Sequence, residues 1–305
     1  MNGILNIYKP EGPTSSNIVT RIKKLLHEKR VGHAGTLDPA ASGVLPICFG
    51  HGTRVVEYLM DSTKDYRTEI EFGITTDTYD AAGSVTSIKD SSSVDRNQIE
   101  TALNSFLGEI QQVPPIYSAL KYKGKPYYEL ARAGIDIALE SRPVTVHDIT
   151  ILDWQPPVVT IDITCGKGTY IRSIAHDLGQ VIGCGACMKS LVRRKYGPFF
   201  IEDAISVDNL EQSYTGNDWQ RYIHPIDSVL LHLKAIAVND DTRQDIQHGR
   251  SIDNTFIRTQ TLNNHSQPEG FQETRCRAYG LDGRFLGILL YVPETGRWKP
   301  EKVFI

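Results

Sequence analysis

Residues 31–46 read Val31-Gly32-His33-Ala34-Gly35-Thr36-Leu37-Asp38-Pro39-Ala40-Ala41-Ser42-Gly43-Val44-Leu45-Pro46. A single acid stands in a run that is otherwise apolar, small or stiffened by glycine and proline. Neither a helical nor a strand period links the apolar positions. Gly32, Gly35, Pro39, Gly43, Pro46 and Gly50 punctuate the segment, so 32–50 is expected to be mostly loop. A loop of that length inside a compact domain is usually functional or disordered. Leu37, Val44, Leu45, Ile47 and Phe49 argue against disorder. An aspartate buried there is costly in its charged form unless a cation or hydrogen-bond donors face it. On physical grounds alone, an Asp38 that merely caps a turn before Pro39 is an equal alternative.

Upstream, residues 3–9 read as a strand stopped by Pro10. Ser15 or Ser16 is placed to cap a helix whose apolar stripe is Ile18, Val19, Ile22, Leu25 and Leu26. Downstream, 68–74 alternates like a strand, and 94–107 reads as a helix capped by Asp95. Residues 144–152 and 158–165 read as strands around Pro156-Pro157, and 169–181 as a helix. Strands and helices mix without βαβ alternation, which predicts an α+β fold. From Glu202 to Asp227 six acids meet one base, Arg221, and mark a change in composition. Beyond it, 275–292 reads as a hairpin around Leu281-Asp282-Gly283, with a polar loop at 259–274 before it. The expected division is a domain at 1–230 and a small β-rich domain at 231–305, in keeping with a length of 305 residues.

A formal net charge of −3 excludes a diffuse polycation but not a local basic face. Residues 21–30 carry five bases against Glu28, and 121–125 and 189–195 are further basic clusters. No apolar run approaches the ~18 residues that span a membrane, and no secretion signal opens the chain. Five scattered cysteines do not form a disulfide framework, so cytoplasm is the expected compartment. Gly166-Lys167-Gly168-Thr169 fails both phosphate-loop patterns and reads as a strand-to-helix turn. Cys184 and Cys187 form a lone CxxC without a second ligand pair, and Asp77 and Asp80 read as a hydrogen-bonded turn. Neither metal nor cofactor is called for.

Gly32 to Pro46 resembles the active-site loop of the TruB-class tRNA pseudouridine synthases. Further segments resemble that family in the same order. They are Tyr8-Lys9-Pro10 to Ser15, Lys64-Asp65-Tyr66-Arg67, Val113 to Gly134, Cys165 to Ser173, and Leu191-Val192-Arg193-Arg194. The segment Cys184 to Lys189 departs from it in lacking a histidine.

The resemblance implies a pseudouridine-synthase fold with a mixed, largely antiparallel central sheet and a PUA-like C-terminal domain. An RNA-gripping insert is expected around 113–135. The implied reaction turns uridine 55 of the tRNA T loop into pseudouridine after base flipping. Asp38 is the expected nucleophile or base, Arg172 its cation and Tyr66 the ring that stacks on the uracil. His33, Lys9 and Leu191 are implied around the substrate, while the basic clusters themselves put Lys121, Arg193 and Arg194 forward as phosphate contacts on the RNA. The implied partner is the tRNA T stem-loop, met by a monomer without guide RNA or protein partner. A non-catalytic tRNA-binding module and a guide-RNA-dependent subunit are the alternatives.

Overall fold

A computed structural model of the chain describes residues 1–118, 121–122, 125–127, 139–253 and 275–304. Chain contacts divide it into two compact units. One comprises Leu5–Ile47 and Met60–Tyr222. The other comprises Met1–Ile4, Cys48–Leu59 and Ile223–Ile305.

The N-terminal half begins with β1 (Gly3–Lys9), α1 (Ser15–Leu25), β2 (Val31–His33), β3 (Ala41–Phe49) and the short α2 (Val56–Met60). Next come β4 (Lys64–Phe72), a hairpin of β5 (Ile74–Thr76) and β6 (Val85–Ile88), α3 (Arg96–Leu103) and β7 (Gly108–Gln112). The two-residue strands β8 (Lys121–Tyr122) and β9 (Lys125–Pro126) pair with each other. Then follow β10 (Arg142–Gln155), β11 (Val158–Cys165), α4 (Ile171–Ile182), β12 (Ala186–Tyr196), β13 (Phe199–Phe200), β14 (Ile205–Ser206) and α5 (Val207–Thr215).

The main sheet runs β14-β1-β3-β12-β4-β11-β10-β7, with β2 beside β3 and β13 beside β12. Pairs β1/β14 and β3/β12 are parallel, whereas β12/β4, β4/β11, β11/β10 and β10/β7 are antiparallel. The sheet is therefore mixed and largely antiparallel, and the fold is α+β, as expected.

Two local expectations are corrected. The segment 32–50 is not mostly loop. All of Ala41–Phe49 is a buried strand. A strand covered on both faces has no reason to alternate, so its apolar run gives no period-2 signal. Its Gly43 sits at φ +108, with a missing Cβ that would run into the Arg193 backbone, so only glycine fits that approach. The cap of α1 is Thr14, which accepts from the Asn17 N–H, and not Ser15 or Ser16. Asp95 does cap α3.

The C-terminal unit adds β15 (Ile223–His224), β16 (Lys234–Val238), α6 (Asp240–Gln247), β17 (Ile252–Asp253), β18 (Arg275–Gly280), β19 (Phe285–Val292) and β20 (Arg297–Val303). Its sheet runs β16-β18-β19-β20-β17 over a core that includes Ile236, Val238, Ile246, Leu286, Leu289 and Trp298. The hairpin expected at 275–292 is β18 and β19. The polar loop at 259–274 and most of 113–135 lie outside the described residues. No described helix is long and apolar enough to cross a membrane.

Candidate active site

The loop between β2 and β3 is fixed through its backbone. Ser15 Oγ donates to the Leu37 carbonyl and accepts from the Leu37 N–H, both at 2.9 Å. The residue expected to cap a helix thus holds the neighbour of Asp38. Lys9, fully buried at the end of β1, donates from Nζ to the carbonyls of Pro39 (3.3 Å) and Ala41 (2.6 Å). Gly12 N–H donates to Pro39 O at 2.9 Å, and Ala41 N–H to Asp38 O at 3.0 Å. From β12, Arg193 donates through Nε to Val44 O (2.7 Å) and through its NH2 nitrogen to Gly35 O (3.2 Å).

The backbone is thus pinned while the Asp38 carboxylate stays 39% exposed. Its described partner is Arg172, near the start of α4, 2.8 Å away and 7% exposed. That guanidinium also donates to Thr78 O (3.3 Å) and Tyr117 O (3.0 Å) and pairs with Asp80 at 3.4 Å. The start of α4 is held in turn by Gln112. Its side chain accepts from Tyr170 N–H (2.8 Å) and donates to Tyr170 O (3.0 Å). Ser173 Oγ donates to Val113 O at 2.8 Å.

Burial pushes the Asp38 carboxyl above the ordinary carboxylate value. Arg172 and Lys9 pull it down and Asp80 pushes it further up, so desolvation wins. Burial likewise lowers Lys9 to about 8, against the pull of Asp38 and Glu11.

Tyr66 is buried on β4 and pairs with Arg193 across the β4/β12 ladder, so the two side chains share a face. Burial raises its phenol, Arg193 opposes the rise, and the Asp38 charge is felt there. The hydroxyl is therefore protonated at neutral pH. Leu191, two residues before Arg193, is buried and pairs with both Thr68 and Ala41. Burial and Arg193 lower the pKa of the half-buried His33, leaving it neutral at pH 7. Asp38, Arg172, Tyr66 and Lys9 thus gather around one point, with Leu191 and His33 on the surrounding elements.

The residues expected on RNA fare differently. Arg193 is 1% exposed, and its guanidinium holds the loop carbonyls, which corrects its expected placement on a phosphate-facing surface. Arg194 is half-exposed and paired with Glu202 (3.3 Å) and Asp162 (3.7 Å). Arg21, in the first basic cluster, pairs with Asp208 (2.7 Å) and Glu211 (2.8 Å). The Lys121 side chain lies outside the described residues.

Local sequence marks Asp80 only as part of a turn, which it is. Thr78 Oγ1 (2.6 Å) and Ala82 N–H (3.1 Å) donate to its carboxylate. No local pattern connects that turn with Arg172, which lies about 90 residues away; the link is visible only in three dimensions.

Residues 23–171 match the model of the N-terminal domain of the TruB family pseudouridylate synthases, and 172–231 that of the tRNA pseudouridylate synthase B C-terminal domain. The chain is 40% identical to tRNA pseudouridine synthase B of Dehalococcoides mccartyi, covering all of this chain and 97% of that protein. It is 41% identical to the protein of the same name from Clostridioides difficile, with both chains fully covered. Among solved structures, a chain of a Cbf5-Nop10-Gar1 complex superposes with a TM-score of 0.74 at 27% identity, over 99% of this chain and 85% of that one.

Proposed function

Because the chain belongs to the TruB family of pseudouridylate synthases, we propose that it isomerises uridine 55 in the T loop of tRNA to pseudouridine. The bond between C1′ and N1 breaks and a bond between C1′ and C5 forms. C5 loses a proton and N1 gains one, so atoms and electrons balance with no added donor. The target base is packed within the folded tRNA and has to be flipped out, at a cost of a few kcal/mol.

The observation that carries the proposal is the Asp38–Arg172 pair. A hidden guanidinium holds a partly exposed carboxylate that sits on a loop with a pinned backbone. Such a carboxylate can attack the sugar or the base as nucleophile, or remove a sugar proton as base. Either role needs the charged form, which Arg172 favours against desolvation. The Tyr66 ring is the surface on which an extruded uracil stacks, and its hydroxyl relays the C5 proton, taking it on oxygen as its own O–H proton leaves. Lys9 and Arg193 keep the loop in place, while His33 and Leu191 border the flipped base.

The test is tritium release from C5-labelled uridine in a T-stem-loop transcript, with purified protein and nothing else added. Release on the scale of turnover supports the proposal, and no release at high protein concentration sinks it. The likeness to the Cbf5-Nop10-Gar1 complex favours a second reading, a synthase subunit that needs a guide RNA. Release only on addition of a guide would select it. Binding of the transcript without any release would instead indicate a passive RNA-binding module.

A further inference from the structure

Arg172 is gripped on one side by Asp38 and Tyr117, and on the other by a turn that offers Thr78 O and the Asp80 carboxylate. The residue between those two, Tyr79, has φ +64. A side chain with a Cβ adopts this left-handed conformation only at a cost, and outside Asn and Asp the rest of the structure has to hold it there.

Two things hold it. The turn is tied by backbone to β12, with Met188 N–H donating to Tyr79 O (3.0 Å) and Ala81 N–H to Met188 O (2.9 Å). The Tyr79 ring also lies flat on the ring of His176, with centroids 3.9 Å apart and planes 15° apart. His176 stands four residues after Arg172 on α4, so it shares that residue's face of the helix. Burial lowers the His176 pKa, which leaves a neutral ring for the stack at pH 7.

We propose that the Tyr79–His176 stack is a positioning device for the reaction. It fixes the turn that carries Thr78 and Asp80 against the helix that carries Arg172, and so sets how the guanidinium divides between Asp80 and Asp38. Neither ring touches the reacting atoms. The backbone bonds to β12 fix the turn to the sheet; towards α4 the turn is held by Arg172 itself, and the stack adds a second link that does not pass through the guanidinium. Without it the turn retains its hydrogen bonds but shifts along the helix, and Arg172 follows Asp80 away from Asp38.

The proposal rests on the proposed function only for its kinetic readout, so the test has a second readout that needs no turnover. The variants are Tyr79→Gly, His176→Ala, Tyr79→Phe and His176→Phe in the full chain. Tyr79→Gly removes the ring at a position whose positive φ glycine accepts, and its retained transcript affinity separates a loss of activity from a loss of fold. In single-turnover tritium release, Tyr79→Gly and His176→Ala should slow conversion about tenfold or more. Transcript affinity should stay within about twofold. Tyr79→Phe and His176→Phe, which preserve the stack, should stay within about twofold of the parent in rate. The double variant Tyr79→Gly/His176→Ala should be no slower than the worse single one, since both remove one interaction.

Independently of activity, carboxyl 13C NMR of Asp38, whose charged neighbours are Arg172, Asp80 and Lys9, should show its titration moved to higher pH in Tyr79→Gly and His176→Ala. It should be unmoved in the two phenylalanine variants. The proposal is overturned if the Asp38 titration stays in place in Tyr79→Gly and His176→Ala, or if His176→Phe behaves like His176→Ala. Rate and affinity falling together by the same factor would also overturn it. A parent protein with no turnover, but with the NMR shifts as described, would overturn the proposed function and leave the stack's role standing.

Discussion

The loop that presents Asp38 and the turn that presents Asp80 bring two carboxylates to one guanidinium, yet they treat them in opposite ways. In the loop, the side chains of Lys9, Ser15 and Arg193 are used on backbone atoms, and the carboxylate is left with Arg172. In the turn, Thr78 Oγ1 and the Ala82 N–H satisfy the carboxylate itself, and its side chain is 9% exposed against 39% for Asp38. A saturated, hidden carboxylate is a counter-ion. A reachable one with its backbone fixed and its charge under-compensated is prepared to react. On the proposed function, the difference fits chemistry at Asp38 and the holding of Arg172 by Asp80.

The largest break of that contrast is Asp38→Asn. It retains shape and the pinned loop but removes the charge, and should cut conversion more than about a thousandfold. Transcript affinity should stay within a few-fold; an equal loss of binding would place Asp38 in recognition and not in chemistry. Arg172→Lys should cost roughly ten- to a hundredfold in rate, since an ammonium cannot serve two carboxylates and two carbonyls at the angles a guanidinium does. Full activity in that variant would show that the division between the two carboxylates is unimportant.

A finer probe is the acid limb of the single-turnover rate. Asp38 has to be charged, and burial raises its pKa, so activity is lost as pH falls through a value above the ordinary 3.8. An acid limb at or below that value would mean that Arg172, not desolvation, dominates. The smallest effect is expected at Asp177, next to His176 on α4, where burial lifts the carboxyl to about 6. A raised folded-state value means that its contribution to stability is present at low pH and lost as pH rises through about 6. Asp177→Asn should therefore raise the melting temperature slightly at pH 8 and leave it unchanged below pH 4.

Much of this arrangement follows from local sequence. The capping box at Asp95, the alternation of 158–165 and the Gly-rich turn before α4 each report their own element. Asp38 stands out because an acid in an apolar, stiffened run needs explaining. What local sequence does not carry is whatever depends on the second partner. Residues Ala41–Phe49 look like loop because burial on both faces erases alternation. Ser15 looks like a cap because its real partner, Leu37, is reached only after the chain turns back. Arg193 looks like surface charge within a basic cluster, yet it is the buried support of the loop. Asp80 carries no local sign that it shares a cation with Asp38. The C-terminal unit recruits Met1–Ile4 and Cys48–Leu59 from far upstream, which composition around 202–230 does not reveal.

The most direct test of the contrast is single-turnover tritium release from one T-stem-loop transcript, with Asp38→Asn and Asp80→Asn measured side by side at neutral pH. The account predicts that Asp80→Asn still converts every bound transcript, slowed about ten- to a hundredfold, while Asp38→Asn converts none on the same timescale. Equal inactivity of the two variants, or conversion by Asp38→Asn, would contradict it.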